Sequence, residues 1–66
     1  MKIGDLVHID TDNEDWGRVA SDGEILEIHD AGRQILGDQA GRTVYLVNAH
    51  SIRANILVYE EDITLR

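Results

Sequence analysis

The chain of 66 residues contains no cysteine, no proline and no phenylalanine, and its only aromatic residues are Trp16, Tyr45 and Tyr59. Without cysteine, a disulfide scaffold, a cysteine-ligated zinc site and a cysteine nucleophile are excluded. No apolar run exceeds five residues, whereas a helix that spans lipid needs about 20. A basic segment followed by an apolar run, as in a secretory signal, is also missing, so we expect a cytoplasmic protein.

Acidic residues outnumber basic ones by 13 to six, and the excess is confined to one half of the chain. Nine acids and two bases lie in residues 1–30, which therefore carry the whole net charge of −7. The acids are densest between Asp10 and Asp15. Because lysine and arginine bind phosphate backbones and anionic lipids, we expect neither nucleic acid nor a membrane as a partner. The acidity either keeps a small protein soluble or steers it towards a basic partner.

Short β-type runs separated by glycine-rich or acidic turns extend along the chain. They cover 5–9, 24–28, 43–48, 55–59 and 63–65, with one helical turn over 60–62 before the last. No segment repeats apolar residues with the helical period. We therefore predict one all-β domain over residues 1–66, a small five-stranded barrel whose closure removes exposed sheet edges. A domain of this size is marginal, so self-association would add to its stability.

The same pattern predicts which residues form the core and which form the connections. Residues 10–22 are expected to form a long polar loop with brief pairing at 18–20, and 29–42 a glycine-rich connection. Strand alternation predicts four pairs of inward-facing side chains: Val7 and Ile9, Leu26 and Ile28, Val44 and Leu46, and Ile56 and Val58.

Four segments have a recognisable strand pattern. They are Gly-Asp-Leu-Val-His-Ile at 4–9, Gly-Glu-Ile-Leu-Glu-Ile at 23–28, Tyr-Leu-Val at 45–47 and Asn-Ile-Leu-Val-Tyr-Glu-Glu-Asp-Ile at 55–63. Together they resemble small SH3-like barrels. Within that group the chain is most similar to accessory proteins of photosynthetic electron transfer. Examples are the small SH3-like subunits of the NAD(P)H dehydrogenase-like complex and of photosystem I, and the variable chain of ferredoxin–thioredoxin reductase. The resemblance implies a barrel that binds another protein without chemistry of its own.

Trp16 lies inside the acidic segment, next to Gly17. Tryptophan is enriched at interface hot spots, so Trp16 is a candidate anchor, with Asp12, Glu14 and Asp15 steering a basic partner towards it. The structural alternative is that Trp16 covers an open end of the barrel. Binding of proline-rich peptides is not expected, because the Ala-Leu-Tyr-Asp-Tyr signature of the SH3 domains that bind them is absent.

Tyr45 and Tyr59 are expected on adjacent strands with outward side chains, and both are candidate partner-binding residues. They would form a cross-strand pair, which is a structural role. With Trp16 they would alternatively make a minimal aromatic cage for a methylated cation.

A metal site is not expected. Residues 10–14 resemble the start of a calcium loop, but Asp15 stands where that loop needs glycine and Ser21 where it needs a bidentate glutamate. The three histidines also lack the spacing of metal ligands: His8, His29 and His50. Residues 10–15 therefore form either a weak, irregular cation site or, as we prefer, a solvated acidic loop.

Enzyme chemistry and cofactors are not expected either. Ser21 and Ser51 lack a nucleophile motif. Residues 56–59 are similar in position to the Val-Gln-Ile-Tyr strand of type B dihydrofolate reductases, which are also SH3-like barrels. Leu57 replaces the glutamine of that strand and cannot make its hydrogen bond to a ligand.

Two functions follow from these patterns. The first is a non-enzymatic binding module or accessory subunit that docks onto a larger protein with a basic surface. The second is an acidic inhibitor that imitates a nucleic-acid backbone, as phage-type antagonists of host enzymes do. The concentration of charge in residues 1–30 favours both.

Overall fold

A computed structural model describes residues 1–29 and 43–66, and its main feature is one five-stranded antiparallel sheet. The strands are β1 (Leu6–Asn13), β2 (Gly17–His29), β3 (Val44–Ala49), β4 (Ala54–Tyr59) and β5 (Ile63–Leu65). A single 3-10 turn, η1 (Glu60–Asp62), precedes β5, and the strand order is β4-β3-β2-β1-β5. The predicted all-β class, with five strands and one helical turn before the last, is confirmed.

The first two strands are longer than predicted, and the long loop expected over 10–22 is wrong. These residues form a hairpin in which β1 and β2 pair continuously from Leu6 opposite Glu24 to Asn13 opposite Gly17. Thr11, Val19 and Ser21 are buried on its inner side, and the charged residues between them are exposed. The alternation was concealed because the inner positions here include hydroxyl side chains rather than an unbroken aliphatic series.

The core is aliphatic apart from one tyrosine and contains side chains from all five strands. It comprises Val7, Ile9, Val19, Ile25, Tyr45, Val47, Ala49, Ile56, Val58 and Ile63. The inward positions predicted on β1 and β4 are confirmed, since Val7, Ile9, Ile56 and Val58 are all buried.

The inward positions predicted on β2 and β3 need correction. Ile25 continues the inward alternation of Val19 and Ser21 and is fully buried, so Leu26 falls on the other face and is only half-buried. The bulge between Ile25 and Glu27 then shifts the alternation of the last residues of β2. Ile28 packs against the core as a partly buried residue. On β3 the core cluster contains Tyr45, Val47 and Ala49, and Leu46, which was predicted to face inward, is only half-buried. Val44 is fully buried, as predicted, although alternation places it on the other side of the strand from Tyr45 and outside this cluster.

Gly23 is the first residue of β2 that pairs with both neighbouring strands, β1 and β3. It pairs with Val7 of β1 and with Ala49 of β3. A Cβ atom added at this position would lie 2.5 Å from the backbone oxygen of Asn48 and 2.8 Å from Cγ1 of Val47. Only glycine therefore allows the backbones of β2 and β3 to approach this closely.

Gly23→Ala should lower the free energy of unfolding by about 1–3 kcal/mol, because the backbone of β3 must move away from the added methyl group. Thermal melting followed by circular dichroism measures the change. Ala20→Ser is the matched control, since it enlarges an exposed side chain of the same strand and should change stability by less than about 0.5 kcal/mol. Equal melting temperatures for Gly23→Ala and the unaltered protein would contradict this account of the close approach.

Candidate partner-binding site

The turn between β1 and β2 is held by the side chain of Asn13. Its Oδ1 atom accepts hydrogen bonds from the backbone N–H groups of Asp15, at 2.8 Å, and Trp16, at 3.1 Å. Gly17 follows with φ of 72°, a left-handed conformation that glycine adopts without strain. Asn13 and Gly17 therefore determine the backbone conformation on both sides of Trp16. They also determine the direction in which the side chain of Trp16 projects from the turn.

The structure brings four of the predicted contact residues together at this turn. Trp16 is 50% exposed, and Asp12, Glu14 and Asp15 are exposed beside it. Trp16 is not among the residues that form the core or pack against it. The structural alternative, in which Trp16 covers an open end of the barrel, is therefore not what the structure has.

The two tyrosines do not join this turn. Tyr45 is only 5% exposed, so the expectation of an outward side chain is wrong; it belongs to the inward series of β3. Its hydroxyl donates a hydrogen bond of 3.2 Å to Oε1 of Glu60 and so links β3 to η1. Tyr59 is half-buried and lies opposite Val44, while Tyr45 lies opposite Val58, so the two tyrosines are not directly opposite each other on β3 and β4. A buried Tyr45 also leaves no complete aromatic cage with Trp16.

Two of the acids on the outer face of the hairpin are compensated by cations of the same chain. The guanidinium of Arg18 donates two hydrogen bonds of 2.8 Å to the carboxylate of Asp10. This pairing lowers the pKa of Asp10. Asp22 binds the guanidinium of Arg66 and lies 3.0 Å from Nδ1 of His8. Both contacts lower the pKa of Asp22, the hydrogen bond from Arg66 more than that from His8.

The carboxylates near Trp16 make no such hydrogen bond to a cation within residues 1–29 and 43–66, and only the charge of Asp12 contributes, as a minor cause after Asp10, to the raised pKa of Arg18. Asp12 lies opposite Arg18 in the β1–β2 register, but the guanidinium of Arg18 is bound to Asp10. Asp12, Glu14 and Asp15 make no ion pair with any residue of 1–29 or 43–66. The turn therefore presents an indole ring inside a negative field, which suits a partner surface with both apolar and basic groups.

Sequence reasoning missed Asn13 and Arg18. Asn13 carried a signal, because asparagine commonly bonds to the backbone two residues ahead and here stands four residues before a glycine. Arg18 could be assigned to Asp10 only once the hairpin register was known, since the two are eight residues apart.

Some kinds of site are not found in the part of the chain that the structure describes. Within it, no three or more histidine, aspartate and glutamate side chains are grouped so as to hold a metal ion. No helix within residues 1–29 and 43–66 has the length and apolar character needed to cross a membrane. Comparisons with protein-family models, with curated proteins and with solved structures found no match to the chain.

Asn13→Ala should lower the free energy of unfolding by about 1 kcal/mol, because two backbone N–H groups lose their acceptor. Amide hydrogen exchange should accelerate at Asp15 and Trp16 before it accelerates in the core strands. Asn13→Asp is the matched control, since it keeps the accepting oxygen. Unchanged exchange at both amides in Asn13→Ala would show that Asn13 does not hold the turn.

Asp22→Asn should lower the melting temperature at neutral pH, with an effect that disappears in acid. The pKa of Asp22 is lower in the folded protein than its ordinary value of 3.8. Its stabilisation is therefore complete above that ordinary value and is lost as the pH falls through the lower, folded-state pKa. Because the groups are exposed and solvent screens them, the effect should be small.

Melting curves between pH 7 and about pH 2 measure this dependence. Arg66→Gln should reproduce most of it, since Arg66 is the larger cause of the lowered pKa of Asp22. A difference between Asp22→Asn and the unaltered protein that stays constant down to about pH 2 would contradict the assignment.

Proposed function

We propose that the chain is a non-enzymatic protein-binding module, which docks onto a larger protein with a basic surface through the β1–β2 turn. The observation that carries the proposal is the exposure of Trp16 within a turn that Asn13 fixes. A ring whose backbone is already ordered loses little conformational entropy on binding, so more of its contact energy contributes to affinity. The resemblance to accessory subunits that dock onto larger complexes agrees with this role.

The proposed contact consists of an apolar anchor and the acidic residues around it. Trp16 supplies apolar area, while Asp12, Glu14 and Asp15 supply a negative field that no ion pair within the described residues cancels. Exposed charges at an interface act mainly on the rate of association, whereas a buried aromatic anchor acts mainly on the rate of dissociation. Variants of the two groups should therefore have separable kinetic effects.

Imitation of a nucleic-acid backbone is less well supported by the same surface. An effective mimic needs several uncompensated carboxylates spaced along a face, as phosphates are. On the outer face of β1 and β2, Asp10 and Asp22 are bound by Arg18 and Arg66. The acids near the turn that have no ion pair within the described residues, Asp12, Glu14 and Asp15, lie within four positions of one hairpin turn rather than along an extended row.

Affinity capture from the native source, followed by kinetics with the purified partner, tests the proposal. Trp16→Ala should raise the dissociation rate about 30-fold, equivalent to about 2 kcal/mol for a central anchor, with an unchanged melting temperature. Leu65→Ala is the control, because Leu65 is a similarly exposed apolar residue outside the turn. Equal dissociation rates for Trp16→Ala and Leu65→Ala would overturn the role of the turn.

The double variant Glu14→Gln/Asp15→Asn should instead slow association and reduce its salt dependence. Glu24→Gln/Glu27→Gln removes the same formal charge from exposed positions of β2 outside the turn and is the matched control. Affinity that stays constant between about 0.05 and 0.5 M salt would remove the electrostatic part of the proposal. It would count equally against a nucleic-acid mimic.

A further inference from the structure

The strand β4 (Ala54–Tyr59) lies at one edge of the sheet. The strand order places β3 on one side of it and no described strand on the other. Its pairing with β3 extends over all six residues. At the opposite edge of the described sheet, β5 has only three residues. Because very short edge strands pair poorly with other chains, β4 is the edge that matters for association.

The sequence of β4 contains none of the features that usually protect an edge strand. Natural edge strands carry charged side chains, proline or a bulge, which prevent another chain from pairing with them. The six residues of β4 include no charged residue, and the whole chain lacks proline. The pairing of β4 with β3 also contains no bulge. Such an edge is a template for a further strand.

The backbone of Asn55 and Leu57 supplies the unpaired groups of this edge. The N–H group of Glu60 donates a hydrogen bond of 3.3 Å to the carbonyl of Thr43, so it points to the β3 side. Backbone groups of successive residues in an antiparallel strand point to alternate sides, which directs those of Leu57 and Asn55 away from β3. Neither residue makes a backbone hydrogen bond on that side within the described part of the chain.

We propose that β4 pairs antiparallel with β4 of a second copy of this chain. A two-fold axis perpendicular to the sheet places Ile56 opposite Ile56 of the second copy and Asn55 opposite Leu57 of the second copy. The backbones of Asn55 and Leu57 then exchange hydrogen bonds at two symmetric positions, about four bonds in all. Such an interface uses the same surface of both copies and closes at the dimer.

The charges at the two ends of β4 complement each other in this arrangement. Arg53 directly precedes β4, and the three acids of η1 directly follow it. Antiparallel pairing brings the start of one strand next to the end of the other, so Arg53 lies beside the acidic turn of the second copy. Arg53 is exposed and makes no ion pair with residues 1–29 or 43–66. A second copy therefore supplies both the strand and the opposite charge.

Sedimentation equilibrium of the full chain tests whether the dimer forms. One strand from each copy buries less area than a standard interface of about 1,600 Å², so we expect a weak dimer whose mass appears between about 10 μM and 1 mM. This dimer goes beyond the proposed function, because its pairing uses no residue of the β1–β2 turn. A monomer at every concentration would overturn the inference.

Arg53→Glu should weaken dimerisation at least about tenfold, because attraction to the acidic turn of the second copy becomes repulsion. Lys2→Glu is the matched control, since it changes the net charge equally at an exposed position outside β4. It should weaken dimerisation less than about twofold, through the general repulsion between acidic copies. Equal weakening by the two variants would overturn the contact between Arg53 and η1.

Disulfide formation tests the register, because the chain has no cysteine of its own. Directly opposite residues of a hydrogen-bonded antiparallel pair have Cα atoms about 5.5 Å apart, which a disulfide can bridge. After mild oxidation, a mixture of Asn55→Cys and Leu57→Cys should contain more mixed disulfide than random pairing gives. Either variant alone should form little disulfide, because identical positions lie diagonally, about 7–8 Å apart.

A mixture of Asn55→Cys and Thr64→Cys is the control, since Thr64 is exposed on β5. It should contain no excess of mixed disulfide. An equal excess in both mixtures, or random proportions in the first, would overturn pairing through β4. None of these measurements involves Trp16 or a protein partner, so failure of the dimer and failure of the proposed function are distinguished.

Discussion

The close approach of β3 to the backbone of Gly23 is the constraint on which the other features depend. At this residue β2 has β1 on one side and β3 on the other. Residues 17–24 pair with β1, and residues 23–25 and 27–29 pair with β3. The 13-residue strand β2 therefore joins the β1 side of the sheet to the β3 side, and Gly23 permits the close approach of β2 to β3. The part of β2 before Gly23 pairs with β1 and leads to the turn that carries the candidate site.

The same hairpin completes the core with its inner residues and presents the candidate contact with its exposed ones. Thr11 and Val19 turn inward, while the side chains between them carry charge on the outer side. Because β5 covers only residues 7–9 of β1, the remainder of this strand borders a cleft. Asn13 then orders the turn, so Trp16 is held in solvent by backbone hydrogen bonds rather than by contact with the core. The hydrogen bonds of Asn13 thus supply the rigidity that an exposed anchor needs.

Much of the fold could be predicted from the sequence because β-branched segments and turns mark the strands directly. The limits of β3, β4, β5 and η1 were predicted to within one residue, and Val7, Ile9, Ile56 and Val58 were correctly placed inside. Errors arose where the sequence pattern of a strand did not determine which of its side chains face the core. The bulge after Ile25 shifts the alternation of the last residues of β2, and the inward direction of Tyr45 depends on its neighbours in the sheet. The predicted glycine-rich connection over 29–42 lies, beyond His29, outside the described residues.

The site was predicted in composition but not in geometry. Asp12, Glu14, Asp15 and Trp16 are close in sequence, so their proximity was evident. The pairing of Arg18 with Asp10 and of Arg66 with Asp22 depends on register and on contact between distant segments. Within residues 1–29 and 43–66, those pairs decide which acids of the hairpin have no ion pair.

Fluorescence quenching tests the central claim most directly, because Trp16 is the only tryptophan in the chain. Acrylamide should quench its emission efficiently, since the ring is half-exposed. Caesium is intrinsically a weaker quencher of indole than iodide, so each quenching constant is divided by the one measured for free N-acetyltryptophanamide. On this scale caesium ions should quench Trp16 more strongly than iodide ions, because the surrounding acids attract cations and repel anions. This difference should decrease in Glu14→Gln/Asp15→Asn. Weak quenching by acrylamide, or equal quenching by caesium and iodide relative to the free reference compound, would contradict an exposed anchor in an acidic turn.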